Sequence, residues 1–168
     1  INSSSEIIDN LFWNIGYTIN FSGVSYKDNS YLASFVSEPF GIGKLWIANI
    51  YSKIEFDTRD NPNNSFSGIN FGFQFDYFPK LFKHNTEFIK IKSSIASYFT
   101  FHPFTFAFRL GGEKINGTYP FFLSANLGGE DDLRGFSRQK FSGDAALFGQ
   151  TEIRTFISDV RLILPAKF

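Results

Sequence analysis

The chain has 168 residues, enough for one domain and too few for two of ordinary size. Its 16 basic and 16 acidic side chains cancel, so net charge offers no footing for nucleic acid. There is no Cys, which removes disulfides, thiol catalysis and cysteine–zinc sites, and no apolar run approaches the roughly 18 residues of a membrane-crossing helix.

In chain order, the first clear pattern runs from Leu11 to Gly23. Leu11, Trp13, Ile15, Tyr17, Ile19 and Phe21 alternate there with Phe12, Asn14, Gly16, Thr18, Asn20 and Ser22. Period two over that length predicts a strand with one apolar and one polar face. Residues 30–38 form a weaker candidate strand. Trp46, Ala48, Ile50, Ile54 and Phe56 alternate with Asn49, Tyr51, Lys53, Glu55 and Asp57. The cleanest alternation sets Ile69, Phe71, Phe73, Phe75 and Tyr77 against Asn70, Gly72, Gln74 and Asp76. Ile89, Ile91, Ile95, Phe99 and Phe101 then face away from Lys90, Lys92, Ser94, Tyr98 and Thr100, and Phe104 to Leu110 repeats the pattern. A last strand carries Leu147, Ile153 and Ile157 on one face, with Gln150, Glu152, Arg154 and Ser158 on the other.

The punctuation between these runs suits antiparallel neighbours: Asp60-Asn61-Pro62-Asn63-Asn64, the polar stretch 79–85, and His102-Pro103. Roughly six or seven strands follow, several of about 12 or more residues, against about 5 to 6 in soluble proteins and about 9 to 11 for a tilted membrane crossing. A soluble sandwich would bury the apolar face against a second sheet. A membrane barrel would turn that face to lipid and its charges to a wet lumen. Alternation alone fits both; strand length and the 24 Phe residues favour lipid. Phe71, Phe73, Phe75 and Tyr77 are then the lipid-facing set.

Residues 127–143 read Leu-Gly-Gly-Glu-Asp-Asp-Leu-Arg-Gly-Phe-Ser-Arg-Gln-Lys-Phe-Ser-Gly, within a long connection spanning 115–143. Asp57-Thr58-Arg59-Asp60-Asn61-Pro62 precedes a strand that begins at Gly68, and Thr151-Glu152-Ile153-Arg154 follows the loop. Together these resemble BamA-type outer-membrane barrels, the bacterial surface antigen superfamily. The first motif looks like the sixth extracellular loop, the second like a periplasmic turn. The likeness spans roughly residues 43–164, with Bacteroidetes-type members nearest, in which such a barrel can follow a phosphoesterase domain.

The resemblance implies an all-β fold: an antiparallel transmembrane β-barrel, with 1–168 as one partial barrel domain and a long lumen-inserted loop. The family barrel has roughly 16 strands, so the first five or six and the last four would lie outside these residues. A chain that opens on Ile1, holds no Met and ends Leu164-Pro165-Ala166-Lys167-Phe168 fits that expectation, as a processed or partial product. The resemblance also implies that Arg134 folds into the lumen and pairs with an inward acid, for which Glu152 is the match. Such a pair is directional when bidentate. Gly135 and Phe136 complete this loop lock, and Gly128, Gly129 and Gly143 are the motif glycines. Taken without its flanks, Arg134 is a solvated turn residue and Phe136 an exposed loop aromatic. Glu130-Asp131-Asp132 lacks the spacing of a calcium loop and reads as solvated.

Catalytic signals are poor. Asp57, Asp60 and His84 sit in separate turns, no Gly-x-Ser-x-Gly occurs, and Gly41-Ile42-Gly43-Lys44 lacks phosphate-loop spacing. The chain is expected to have no chemistry of its own, no cofactor and no metal. The implied function is protein insertion or translocation at the bacterial outer membrane. Implied partners are the outer-membrane bilayer, further strands of the same barrel, unfolded or secreted protein substrates, and periplasmic or accessory domains. Alternatives are an anchor or export barrel for an attached enzymatic domain, a small porin- or adhesin-like protein, and a soluble sandwich binding apolar ligands.

Overall fold

A computed structural model describes residues 2–25, 40–82, 86–129 and 132–155. The strands are β1 (Asn2–Ile8), β2 (Leu11–Val24), β3 (Gly43–Asp57), β4 (Gly68–Phe78), β5 (Phe88–Phe101), β6 (Phe104–Gly117), β7 (Ala125–Leu127), β8 (Phe141–Gly143) and β9 (Ala145–Thr155). Seven form one antiparallel sheet in the order β1-β2-β3-β4-β5-β6-β9, and β7 and β8 pair separately. The residues 30–38, His84, Glu130, Asp131, Ile157, Ser158 and 164–168 of the sequence reading lie outside the described residues.

The alternating runs become strands because each can form a ladder with a neighbour while sorting its side chains by face. β2 and β3 pair without interruption from Leu11↔Phe56 to Val24↔Gly43. The wall strands β2 to β6 and β9 are 14, 15, 11, 14, 14 and 11 residues long, so each reaches the length of a membrane crossing. β1 is a strand that periodicity missed. Asn-Ser-Ser-Ser-Glu-Ile-Ile has no alternation, and the segment is a strand because it pairs with β2 across a two-residue turn. Asn10 takes the left-handed conformation of that turn (φ 68), one that Asn tolerates better than most residues.

The two ends of the sheet differ. One carries the turns after β1, β3 and β5, two of them only two residues long. The other carries the connections after β2, β4 and β6. Two-residue turns confined to one side suit an outer-membrane barrel.

The faces are also inverted relative to a soluble sheet. Trp13, Ile15, Tyr17, Ile19 and Phe21 of β2 are exposed, as are Trp46, Ile50, Ile54 and Phe56 of β3 and Phe71, Phe73 and Phe75 of β4. On the other face, Asn70, Gly72 and Gln74 are half-buried and Asp76 is buried. No second layer covers the apolar face among the described residues. This apolar surface is of the kind that water-soluble monomers avoid.

The inner face turns apolar at the long-loop end. Leu45, Ile47, Phe78, Phe88 and Ile115 cluster there with Ala125, and Tyr119, Phe122 and Leu123 pack against them. Phe78 and Phe88 stack at 4.1 Å between ring centroids. A short 3-10 turn, Phe121–Leu123, brings the start of the loop across this cluster, tied by Phe121 N donating to Phe40 O at 2.9 Å.

Candidate functional site

The connection predicted as 115–143 is shorter and more ordered than expected. β6 runs on to Gly117, and Phe141 to Gly143 form β8, so the loop between is 118–140 and holds β7 within it. The extension of β6 was hidden by Gly111-Gly112, which interrupt visible alternation while keeping its phase. Gly111 is inward, and a Cβ there would lie 2.6 Å from Cζ of Phe148. The Phe148 ring lies on this bare backbone, with the Arg109 guanidinium 5.2 Å from its centroid.

β7 and β8 make a small hairpin over the inner face, with Ala125↔Gly143, Asn126↔Ser142 and Leu127↔Phe141 in register. Gly143 is therefore a ladder residue, not a turn. Glu113 of β6 anchors this hairpin: its Oε1 accepts from Asn126 N at 2.7 Å. Its Oε2 lies 3.1 Å from Lys90 Nζ and 3.6 Å from Lys92 Nζ. Lys90 also donates to Leu123 O at 3.3 Å. Sequence reasoning missed Glu113; the signal was its inward phase two residues after Gly111. At the base, the Tyr119 hydroxyl donates to Asp144. That bond, with burial as a smaller cause, pushes the Tyr119 hydroxyl pKa up to about 12.

Beyond β7 the loop doubles back at its tip. Gly129 N donates to Phe136 O at 3.0 Å, and Leu133 N to Gly129 O at 3.2 Å. Gly128 needs to be glycine: its φ is 135°, and a Cβ would meet Ser137 O at 2.1 Å. Gly129 and Gly135 also have positive φ. Phe136 is exposed and pairs with Phe141 at 5.5 Å between centroids.

Two inner-face side chains of β9 reach the tip. Gln150 Nε2 donates to Asp132 O at 3.0 Å, and Arg134 Nη1 donates to Glu152 Oε2 at 3.3 Å. Positions two apart on β9 meet positions two apart on the loop. The Arg134 contact is a single bond rather than a fork, and its side chain is 69% exposed. Arg154, on the same face, shares Glu152, donating from Nε to Oε1 at 2.6 Å. Between the hairpin and the wall lies a cleft of ≈ 580 Å³ whose lining includes Lys53, Lys90, Lys92, Arg109 and Arg138.

The turn after β3 is built by its motif. Arg59 grips Asp57 with two bonds, Nε to Oδ1 at 2.8 Å and Nη2 to Oδ2 at 2.6 Å, and donates from Nη1 to Pro62 O at 3.2 Å. Asp60 Oδ1 accepts from the backbone N–H of Asn61, Phe66 and Ser67. Desolvation pushes the Asp60 carboxyl up, but these donors outweigh it and hold the carboxyl below its ordinary range. Asp57 and Asp60 are thus engaged in the turn itself rather than with each other in a catalytic set. Among the described residues no group of three or more His, Cys, Asp or Glu is placed to hold a metal.

No curated protein matches the chain. The Omp85 superfamily domain matches residues 7–159, which covers the wall strands β2 to β6 and β9 and the loop between β6 and β9. On that match and on a long-stranded antiparallel sheet with its apolar side chains outward, the chain belongs to the Omp85 superfamily, a family of outer-membrane barrels of protein insertion and translocation.

Proposed function

We propose that these strands form part of the wall of a BamA-type machine that inserts or translocates proteins, with the loop 118–140 latched inside its lumen by Arg134 and Glu152. The observation that supports this reading most is the 3.3 Å contact between them, made by a loop tip lying on the polar face of β9. In this reading Phe71, Phe73, Phe75 and Tyr77 face lipid. Gly128, Gly129 and Gly135 let the loop double back, and the chain performs no chemistry. Its partners are the bilayer, further strands of the same barrel, unfolded or secreted clients, and periplasmic or accessory domains.

The exposure of Arg134 sets the size of the effect. A pair so accessible contributes on the order of 0.2–1 kcal/mol, a few-fold change in the latched population. In the full-length protein, Arg134→Ala or Glu152→Gln is expected to raise protease cleavage within 132–140 by about two- to fivefold. Both are expected to slow insertion of a client barrel into proteoliposomes. Unchanged cleavage in both variants would remove the latch. Normal client insertion with reduced surface display of an attached domain would favour an export barrel instead.

A further inference from the structure

Arg154 lies two residues beyond Glu152 on the same inner face of β9, and it reaches in two directions. Its Nε donates to Glu152 Oε1 at 2.6 Å. Its Nη1 donates to Asn64 Oδ1 at 3.2 Å and to Ser65 O at 3.3 Å. Asn64 and Ser65 belong to the turn between β3 and β4, at the opposite end of the sheet from the root of the loop. One guanidinium therefore touches both the acid that receives Arg134 and a turn from the far side of the lumen.

The turn is placed to take part. It folds inward over strands that are not its own: Phe66 O accepts from Thr100 Oγ1 of β5 at 2.8 Å. That hydroxyl lies 2.8 Å from Thr105 Oγ1 of β6. Ser65 and Thr105 are both buried. The Arg59–Asp57 fork and the Asp60 cap tie the turn together.

The two oxygens of Glu152 are divided, Oε1 to Arg154 and Oε2 to Arg134. A guanidinium facing a carboxylate prefers to take both oxygens at once. Arg154 holds Oε1 from a place that is itself fixed by the bonds of its Nη1 to Asn64 and Ser65. We propose that Arg154 is a positioning residue that couples the loop to the turn. While the turn holds Nη1, Arg154 keeps Glu152 placed so that its Oε2 meets Arg134. When the turn leaves, Arg154 loses that anchor and Glu152 its placement toward Arg134. By reciprocity, Arg134 on Glu152 favours the inward turn. The inference rests on the proposed Arg134–Glu152 latch and adds to it a link between the two ends of the lumen.

The test uses the full-length protein in membranes with a single thiol reporter, at the exposed Ser137 for the loop or the exposed Asn63 for the turn. Labelling by a water-soluble thiol probe is timed. Arg134→Ala is expected to raise the rate at position 137, and at position 63 as well, by about two- to fivefold. Asn64→Ala is expected to raise both. Lys at position 154 offers a single ammonium and cannot span both partners. In an Arg154→Lys background, Arg134→Ala should therefore move only position 137, and Asn64→Ala only position 63. If Arg154→Lys does not assemble, the cycle of Arg134→Ala and Asn64→Ala alone decides: non-additive rates support the link, and additive rates overturn it. If Arg134→Ala frees position 137 and leaves 63 untouched, the link is wrong while the latch stands. If position 137 itself does not respond, the latch is wrong and the link falls with it.

Discussion

At Gly111 the inner face of β6 carries no side chain, and the Phe148 ring of β9 fills the space with Arg109 beside it. A Val there would place its Cβ where the ring sits, so the ring must turn and leave Arg109. Overpacking of this kind costs about 1–3 kcal/mol. Gly111→Val is therefore expected to lower the temperature at which the folded barrel loses its heat-modifiable mobility, and Phe148→Ala in the same chain should restore part of the loss. An unchanged midpoint for Gly111→Val would mean that the ring lies elsewhere. At this scale some of the site was legible and some was not. Glu152 could be read from its phase in a strand with a polar face, and Arg134 from a motif that resembles a known loop. Glu113 was obscured, because Gly111-Gly112 break the visible alternation just before it although its phase continues that of Arg109. The division of Glu152 between two arginines could not be read, since no periodicity says which way a long side chain turns.

Alternation was a reliable guide to the long strands, β2 to β6, because each repeats it for many residues and pairs in uninterrupted register. It failed at β1, whose polar run has no pattern, and at β7 and β8, where three residues are too few to show a period. Those short strands matter because they hold the loop as a hairpin, with Glu113 at one point of its base and the Tyr119–Asp144 bond at another. The raised pKa of Tyr119 fixes the sign of its pH dependence. A hydroxyl whose folded pKa lies above its unfolded value, about 10, stabilises fully below that value. The contribution is lost as pH rises through about 12. Alkaline titration followed by tyrosinate absorbance should therefore show a late-ionising component that shrinks in Tyr119→Phe. Protease access to the loop should rise in the same pH window for the parent and be independent of pH there for the variant. An ordinary tyrosine titration in both would remove this anchor.

For the whole sheet, the decisive property is which face meets which medium. Sequence alone left a sandwich and a barrel both open, because both sort side chains by alternation. In the structure Phe71, Phe73 and Phe75 remain exposed while Asn70 and Gln74 are half-buried and Asp76 is buried, the sorting that a barrel wall requires. Single cysteines along β4 are accordingly expected to react with a lipid-soluble probe at 71, 73 and 75 and with an aqueous probe at 70, 72 and 74. Uniform aqueous labelling would rule out the membrane wall.

β6 and β9 are neighbours in this wall, although the loop separates them in sequence, and their ladder runs from Phe104↔Thr155 to Lys114↔Ala145. The hairpin they carry is held by strands of only three residues and by side-chain bonds. Tension applied at the tip thus meets a weak element in series with a strong one. The tip can be drawn aside and the hairpin unzipped before any load shears the long ladder between β6 and β9. The loop is the compliant part, and the sheet keeps its register while the loop yields.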